Sequence, residues 1–65
     1  MRVLIGTTVQ NVDRVDMDCN KLILMNDDRI LYHVYIESLA EREEIIHQLL
    51  KNGWADLSEY SWLTL

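Results

Sequence analysis

Apolar side chains recur at Leu39, Ile45, Ile46, Leu49 and Leu50, while Glu41, Glu43, Glu44, His47, Gln48 and Lys51 lie between them. Steps of three and four residues set the first group along one stripe of a helix and turn the second group outward. Ser38 stands where an N-cap hydroxyl would accept the free amide protons of the first turn, and Glu41 three residues on completes the capping-box spacing. Acidic groups crowd the first turns and Lys51 falls in the last, which opposes the helix dipole at both ends. Gly53 follows and can take the left-handed conformation that stops a helix. The pattern predicts a helix over 39–52.

A different period precedes it. Lys21 to Met25 and Arg29 to Glu37 are rich in Ile, Leu, Val and Tyr, residues that suit a pleated surface, and the turn formers Asn26-Asp27-Asp28 separate them as in a hairpin. In the second run Ile30, Tyr32, Val34 and Ile36 share one face, and Leu31, His33, Tyr35 and Glu37 share the other. The opposite face is therefore not fully polar. Arg2 to Val9 alternates as a single strand, with Val3, Ile5, Thr7 and Val9 against Leu4, Gly6 and Thr8. Val12, Val15 and Met17 satisfy neither period well, so Val12–Met17 reads as a strand or a strand extension.

The tail from Trp54 to Leu65 admits two readings. As a strand, Tyr60, Trp62 and Thr64 alternate with Ser61, Leu63 and Leu65; as a short helix, Asp56 would cap and Glu59 would be its capping-box partner. The strand is preferred, since Tyr, Trp and Thr are good strand formers and a helix this short is marginal. The elements together predict a single small α+β domain over residues 1–65. An antiparallel sheet of three to four strands, in the order β-β-β-α-β, carries one helix on one face.

Composition narrows the class. Apolar residues make up 49% of the 65 residues, charged residues 26%, and proline is absent, which excludes a disordered or low-complexity chain. A domain of this length buries only about 60% of the surface its unfolded chain exposes. One helix also covers only one sheet face. Leu31, Tyr35 and part of the tail are thus left as candidates for self-association or partner contact, and a homodimer is expected.

The net charge of -5 is unevenly spread. Up to Lys21 three basic groups cancel three acidic ones; beyond it three basic groups face eight acidic ones, so the imbalance lies wholly in the later part. No basic stripe exists to displace counterions from phosphate, which argues against direct nucleic-acid binding. No apolar run approaches the roughly 20 residues that span a bilayer, and the first residues turn polar too soon for a signal peptide. The single Cys19 permits no internal disulfide, so a reducing, cytoplasmic setting is expected.

Candidate chemistry is sparse. Asp16, Asp18, Asn20 and Asp27 imitate the spacing of a calcium loop, but Lys21 stands where that loop needs glycine, and a strand-like run fills the window. Cys19, His33 and His47 lack zinc-ligand spacing. Glu43 and Glu44 diverge around a helix, no glycine-rich phosphate loop is present, and Ser38, Ser58 and Ser61 are explained by capping and strand exposure. An enzyme is not expected, nor a cofactor or a resident metal.

Three functional classes remain. The first is a non-catalytic module, a small regulator or inhibitor that docks Leu31, His33, Tyr35, Trp54, Tyr60 and Trp62 on a larger protein, since aromatic side chains dominate such interfaces. The second is an acidic decoy whose Asp27, Asp28, Glu37, Glu41, Glu43, Glu44, Asp56 and Glu59 imitate phosphates on a basic enzyme site. It requires those carboxylates to share one surface. The third is a metal or small-ligand site around Cys19, His33 or the early aspartates.

Overall fold

Gly6 interrupts the first run of alternating residues. Its φ of +61° lies in the left-handed region that glycine enters without steric cost. The chain reverses over Gly6-Thr7, and β1 (Arg2–Ile5) pairs antiparallel with β2 (Thr8–Asn11). The single strand expected over Arg2–Val9 is thus corrected to a hairpin. A computed structural model describes residues 1–64, which form seven strands and one helix. Leu65, the last residue of the expected tail strand, lies outside the described residues.

Beyond β2, Val12 is buried where the chain turns, and β3 (Arg14–Asp18) follows. Antiparallel pairing then links β3 to β4 (Lys21–Asn26) and β4 to β5 (Arg29–Tyr35). Asp27 and Asp28 join β4 to β5 with φ of 53° and 61°. Two successive positive-φ residues make the hairpin turn whose twist matches its strands, and aspartate tolerates that region better than most side chains. The turn is tied back: Asp27 N–H donates to Asp13 Oδ2 at 3.0 Å, and Asn26 Nδ2 donates to the Asn11 carbonyl at 3.1 Å.

The helix α1 spans Leu39–Asn52, as its spacing predicts. Ser38 Oγ accepts from Glu41 N–H at 3.2 Å, and Gly53, at φ 69°, donates its N–H to the Leu49 carbonyl. The tail forms strands and not a short helix. β6 (Trp54–Asp56) runs parallel to β1, and β7 (Ser61–Thr64) runs antiparallel to β5. Two sheets result, a three-stranded one in the order β2-β1-β6 and a four-stranded antiparallel one in the order β3-β4-β5-β7. The α+β class therefore holds, with a second small sheet beside the antiparallel one.

Both sheets and the helix close on one core. Val3, Ile5 and Ala55 come from the first sheet, Leu22, Leu24 and Val34 from the second, and Ile45 and Leu49 from the helix. Two expectations about this core need correction. Leu39 and Leu50 are exposed, the latter at 75%, and Arg42 takes a place on the buried stripe with Ile45 and Leu49. Its Nη1 donates to the Ile36 carbonyl at 2.5 Å and to the Glu37 carbonyl at 2.9 Å, so the guanidinium straps the helix to the end of β5.

The second correction concerns Ile30. Leu24 pairs with Tyr32 but Met25 pairs with Ile30, so Leu31 is an extra residue in β5. Such a bulge shifts the alternation by one and moves everything beyond it to the other face. Ile30 accordingly leaves the face of Val34 and is 40% exposed.

Candidate protein-binding surface

Pairing across the four-stranded sheet fixes which residues share each face, because residues directly opposite point the same way. One row runs Met17, Leu22, Val34, Trp62, and the next row on that face runs Val15, Leu24, Tyr32, Thr64. Leu22, Leu24 and Val34 in these rows are fully buried. The intervening rows belong to the outer face. They run Asp18, Lys21, Tyr35, Ser61, then Asp16, Ile23, His33, Leu63, then Arg14, Met25, Ile30.

The middle of this outer face is apolar. Ile23, Met25, His33 and Tyr35 are half-buried, and Leu63 is 53% exposed. One polar contact lies among them, with Lys21 Nζ 3.4 Å from His33 Nδ1. An ammonium has only protons to give, so Nδ1 is the accepting nitrogen and Nε2 carries the ring proton. The β3 border is charged: Arg14 Nε pairs with Asp16 at 3.1 Å, and Asp18 accepts from the Cys19 N–H at 2.8 Å. That backbone hydrogen bond, helped by the Cys19 side chain and the Lys21 ammonium, holds the Asp18 carboxyl below the usual range.

Of the six residues singled out from the sequence, His33 and Tyr35 therefore share one surface, and Leu31 stands beside them as the unpaired residue of the bulge. The other three go elsewhere. Trp54 lies on the outer side of the three-stranded sheet, opposite Arg2 and 40% exposed. Tyr60 packs against the core, and its hydroxyl donates to Glu41 Oε2 at 3.4 Å. Desolvation pushes this phenol up from its ordinary value, and the charges of Glu41 and Glu59 push the same way. Trp62 stands on the inner face, and a Cβ added at Gly6 would meet its ring at 3.2 Å and 3.3 Å. The indole thus closes the seam between the two sheets. Ile23, Met25 and Leu63 were missed as surface residues, although the alternation of Ile23 and Met25 with Leu22 and Leu24 carried the signal.

The acidic residues fall into separate groups. Asp27 and Asp28 form the β4–β5 turn, whereas Glu37 lies beyond the opposite end of β5, a seven-residue strand away, roughly 20 Å at about 3.3 Å per residue. Glu41 and Glu59 flank Tyr60, and Glu43 and Glu44 are exposed on the helix. Asp56 accepts from the Ser58 hydroxyl and N–H, which lower its carboxyl below the usual range. The calcium-like window is likewise drawn apart, since β4 separates Asn20 from Asp27. Among the described residues no three His, Cys, Asp or Glu side chains gather as metal ligands, and no helix is long and apolar enough to cross a membrane.

The total accessible surface of 4238 Å² matches the roughly 4300 Å² expected of a compact monomer of this mass. Comparison with known protein families, curated proteins and solved structures finds no match to this chain.

Proposed function

We propose that this chain is a non-catalytic protein-binding module, a small regulator or inhibitor that docks the outer face of its four-stranded sheet on a larger protein. One observation carries the reading: among the described residues the sheet is covered on one side only, and its open side holds Ile23, Met25, His33, Tyr35 and Leu63, with Leu31 beside them at the bulge. Antiparallel sheets normally turn polar residues to water on their free side. Here the free side is apolar at its centre and charged along the β3 border, the arrangement of an interface core with a polar rim. The nearby polar groups suit specificity, because Lys21, His33 and the Tyr35 hydroxyl can each pair with a partner group once water leaves.

A photo-reactive phenylalanine derivative at Leu31 tests this against the same group at Gln48, on the exposed side of α1. In extracts of the native host, the Leu31 probe should give a discrete product heavier than two copies of the chain. Excess unlabelled protein should suppress it, and excess Leu31→Asp protein should not. Equal labelling from both positions, no such product from Leu31, or competition by Leu31→Asp would overturn the proposal.

A further inference from the structure

The fold has four sheet edges, and they are not alike. Edge β3 carries Arg14, Asp16 and Asp18, with Arg14 and Asp16 paired along it. Edge β6 has three residues and ends on Asp56. Edge β2 is met by the Asn26 side chain at the Asn11 carbonyl. Charges, shortness and covering groups are the devices by which natural sheets keep other strands from pairing with an edge. Among the described residues edge β7 carries no charge and meets no covering side chain, and at four residues it is longer than β6. Ser61, Trp62, Leu63 and Thr64 are uncharged and exposed, and among the described residues they make no hydrogen bond beyond their pairing with β5.

We infer that β7 is the edge at which a second copy of this chain adds, strand β7 against strand β7, to make one continuous eight-stranded sheet. The charge pattern selects this occupant. In a chain of net charge -5, self-association favours the segment that sets no carboxylate against its own copy, and Ser61–Thr64 is such a segment. Geometry restricts the pairing further. A two-fold axis perpendicular to the sheet keeps inner face with inner face, so opposite residues must have the same parity along the strand. Among registers that pair more than one residue of the strand, those centred on Trp62 or on Leu63 satisfy this. The first sets Trp62 against its own copy and Ser61 against Leu63; the second sets Leu63 against its own copy.

Both registers join the two outer faces into one surface, and both close at two copies, because each molecule has a single edge of this kind. Leu63 belongs to both the edge and the outer face, but Leu31→Asp alters the face without touching the edge, so this inference and the docking proposal are tested independently.

Light-scattering mass across a dilution series gives the test. Wild-type protein should reach twice 7.7 kDa at high concentration. The double variant Ser61→Lys/Leu63→Lys, which sets lysine against lysine in either register, should stay at 7.7 kDa with an unchanged circular-dichroism spectrum. Met17→Lys on the β3 edge should still double, and so should Leu31→Asp, even though the latter does not compete for photo-labelling. Hydrogen exchange of the wild type gives a readout that needs no variant, with the amides of β7 slowing as concentration rises while those of β3 do not. A wild type that stays at single mass, a double variant that still doubles, or slowing confined to β3 would overturn the inference.

Discussion

Leu24 and Ile23 are neighbours in one strand, of the same size and the same hydrophobic class, yet one is fully buried and the other is half-buried on a face that none of the described elements covers. The two sides of the four-stranded sheet differ little in residue type. They differ in what lies against them: a helix and a second sheet on one side, solvent on the other. Hydrophobicity alone thus says which residues seek cover, and only the tertiary arrangement says which find it within the chain. The residues left over are where this molecule has capacity for a partner.

The largest expected effect breaks the comparison most directly. Leu24→Ala removes a fully buried side chain from the shared core and should cost about 2–5 kcal/mol, much of what a small domain has. Ile23→Ala should cost about 1 kcal/mol or less, the usual scale for a site with little to lose on the surface. Urea unfolding of both variants decides it, and equal costs would mean that the outer face carries the fold as much as the inner one does.

The inner side depends on its covers being fastened, and Arg42 fastens the helix. Its buried guanidinium serves the carbonyls of Ile36 and Glu37, and its Nε has no partner among the described residues. Arg42→Met keeps the apolar stem but strips both carbonyls of their donor, at a cost of about 1–3 kcal/mol. Chemical unfolding gives the number, and a neutral result would show that the helix is held by Ile45 and Leu49 alone.

Much of this arrangement was legible before any coordinates. The helix announced itself through Ser38, Glu41, Lys51 and Gly53, local signals that do not depend on the rest of the chain. The hairpin at Asp27-Asp28 did the same. What escaped was set by long-range or single-residue events. Gly6 looked like one position in an alternating strand, and nothing local shows that β6 returns to pair beside β1. The bulge at Leu31 shifted Ile30 to the far face, a change of register that alternation counts cannot anticipate. Arg42 was not singled out, because arginine seldom lies buried, while its long stem let it join the apolar stripe. The outer face was half legible: His33 and Tyr35 were on it, with Leu31 beside them at the bulge, whereas Trp54, Tyr60 and Trp62 were drawn to other parts of the fold.

The second cover, the three-stranded sheet, is fastened where Trp62 lies on Gly6. A methyl group there meets both a left-handed backbone, which costs a non-glycine residue about 1–2 kcal/mol, and the indole at 3.2–3.3 Å. Gly6→Ala should therefore destabilise by about 1–2 kcal/mol or somewhat more, and shift the fluorescence of Trp62 in the folded state. Gly53→Ala supplies the contrast, since Gly53 has φ +69° with nothing near its Cβ position. It should show the backbone cost without the spectral change. Equal spectral effects would remove Trp62 from the seam.

The smallest effect reports on the contact between the helix and the segment that leads into β7. Tyr60 donates its hydroxyl proton to Glu41, and desolvation followed by the charges of Glu41 and Glu59 raises its pKa above the ordinary 10.0. A phenol raised in this way keeps its proton longer in the folded chain than in the unfolded one. Below pH 10 both states hold the proton and the shift changes nothing; as pH climbs past 10 the unfolded chain ionises first, and stability falls until the folded phenol has titrated too. The informative quantity is a difference. The melting temperature of wild type should drop from pH 9 to pH 11 by more than that of Tyr60→Phe, which keeps the ring against the core but has no proton to lose. Parallel curves would show that Tyr60 ionises as freely folded as unfolded, and that its link to Glu41 plays no part in holding the helix over the covered side of the sheet.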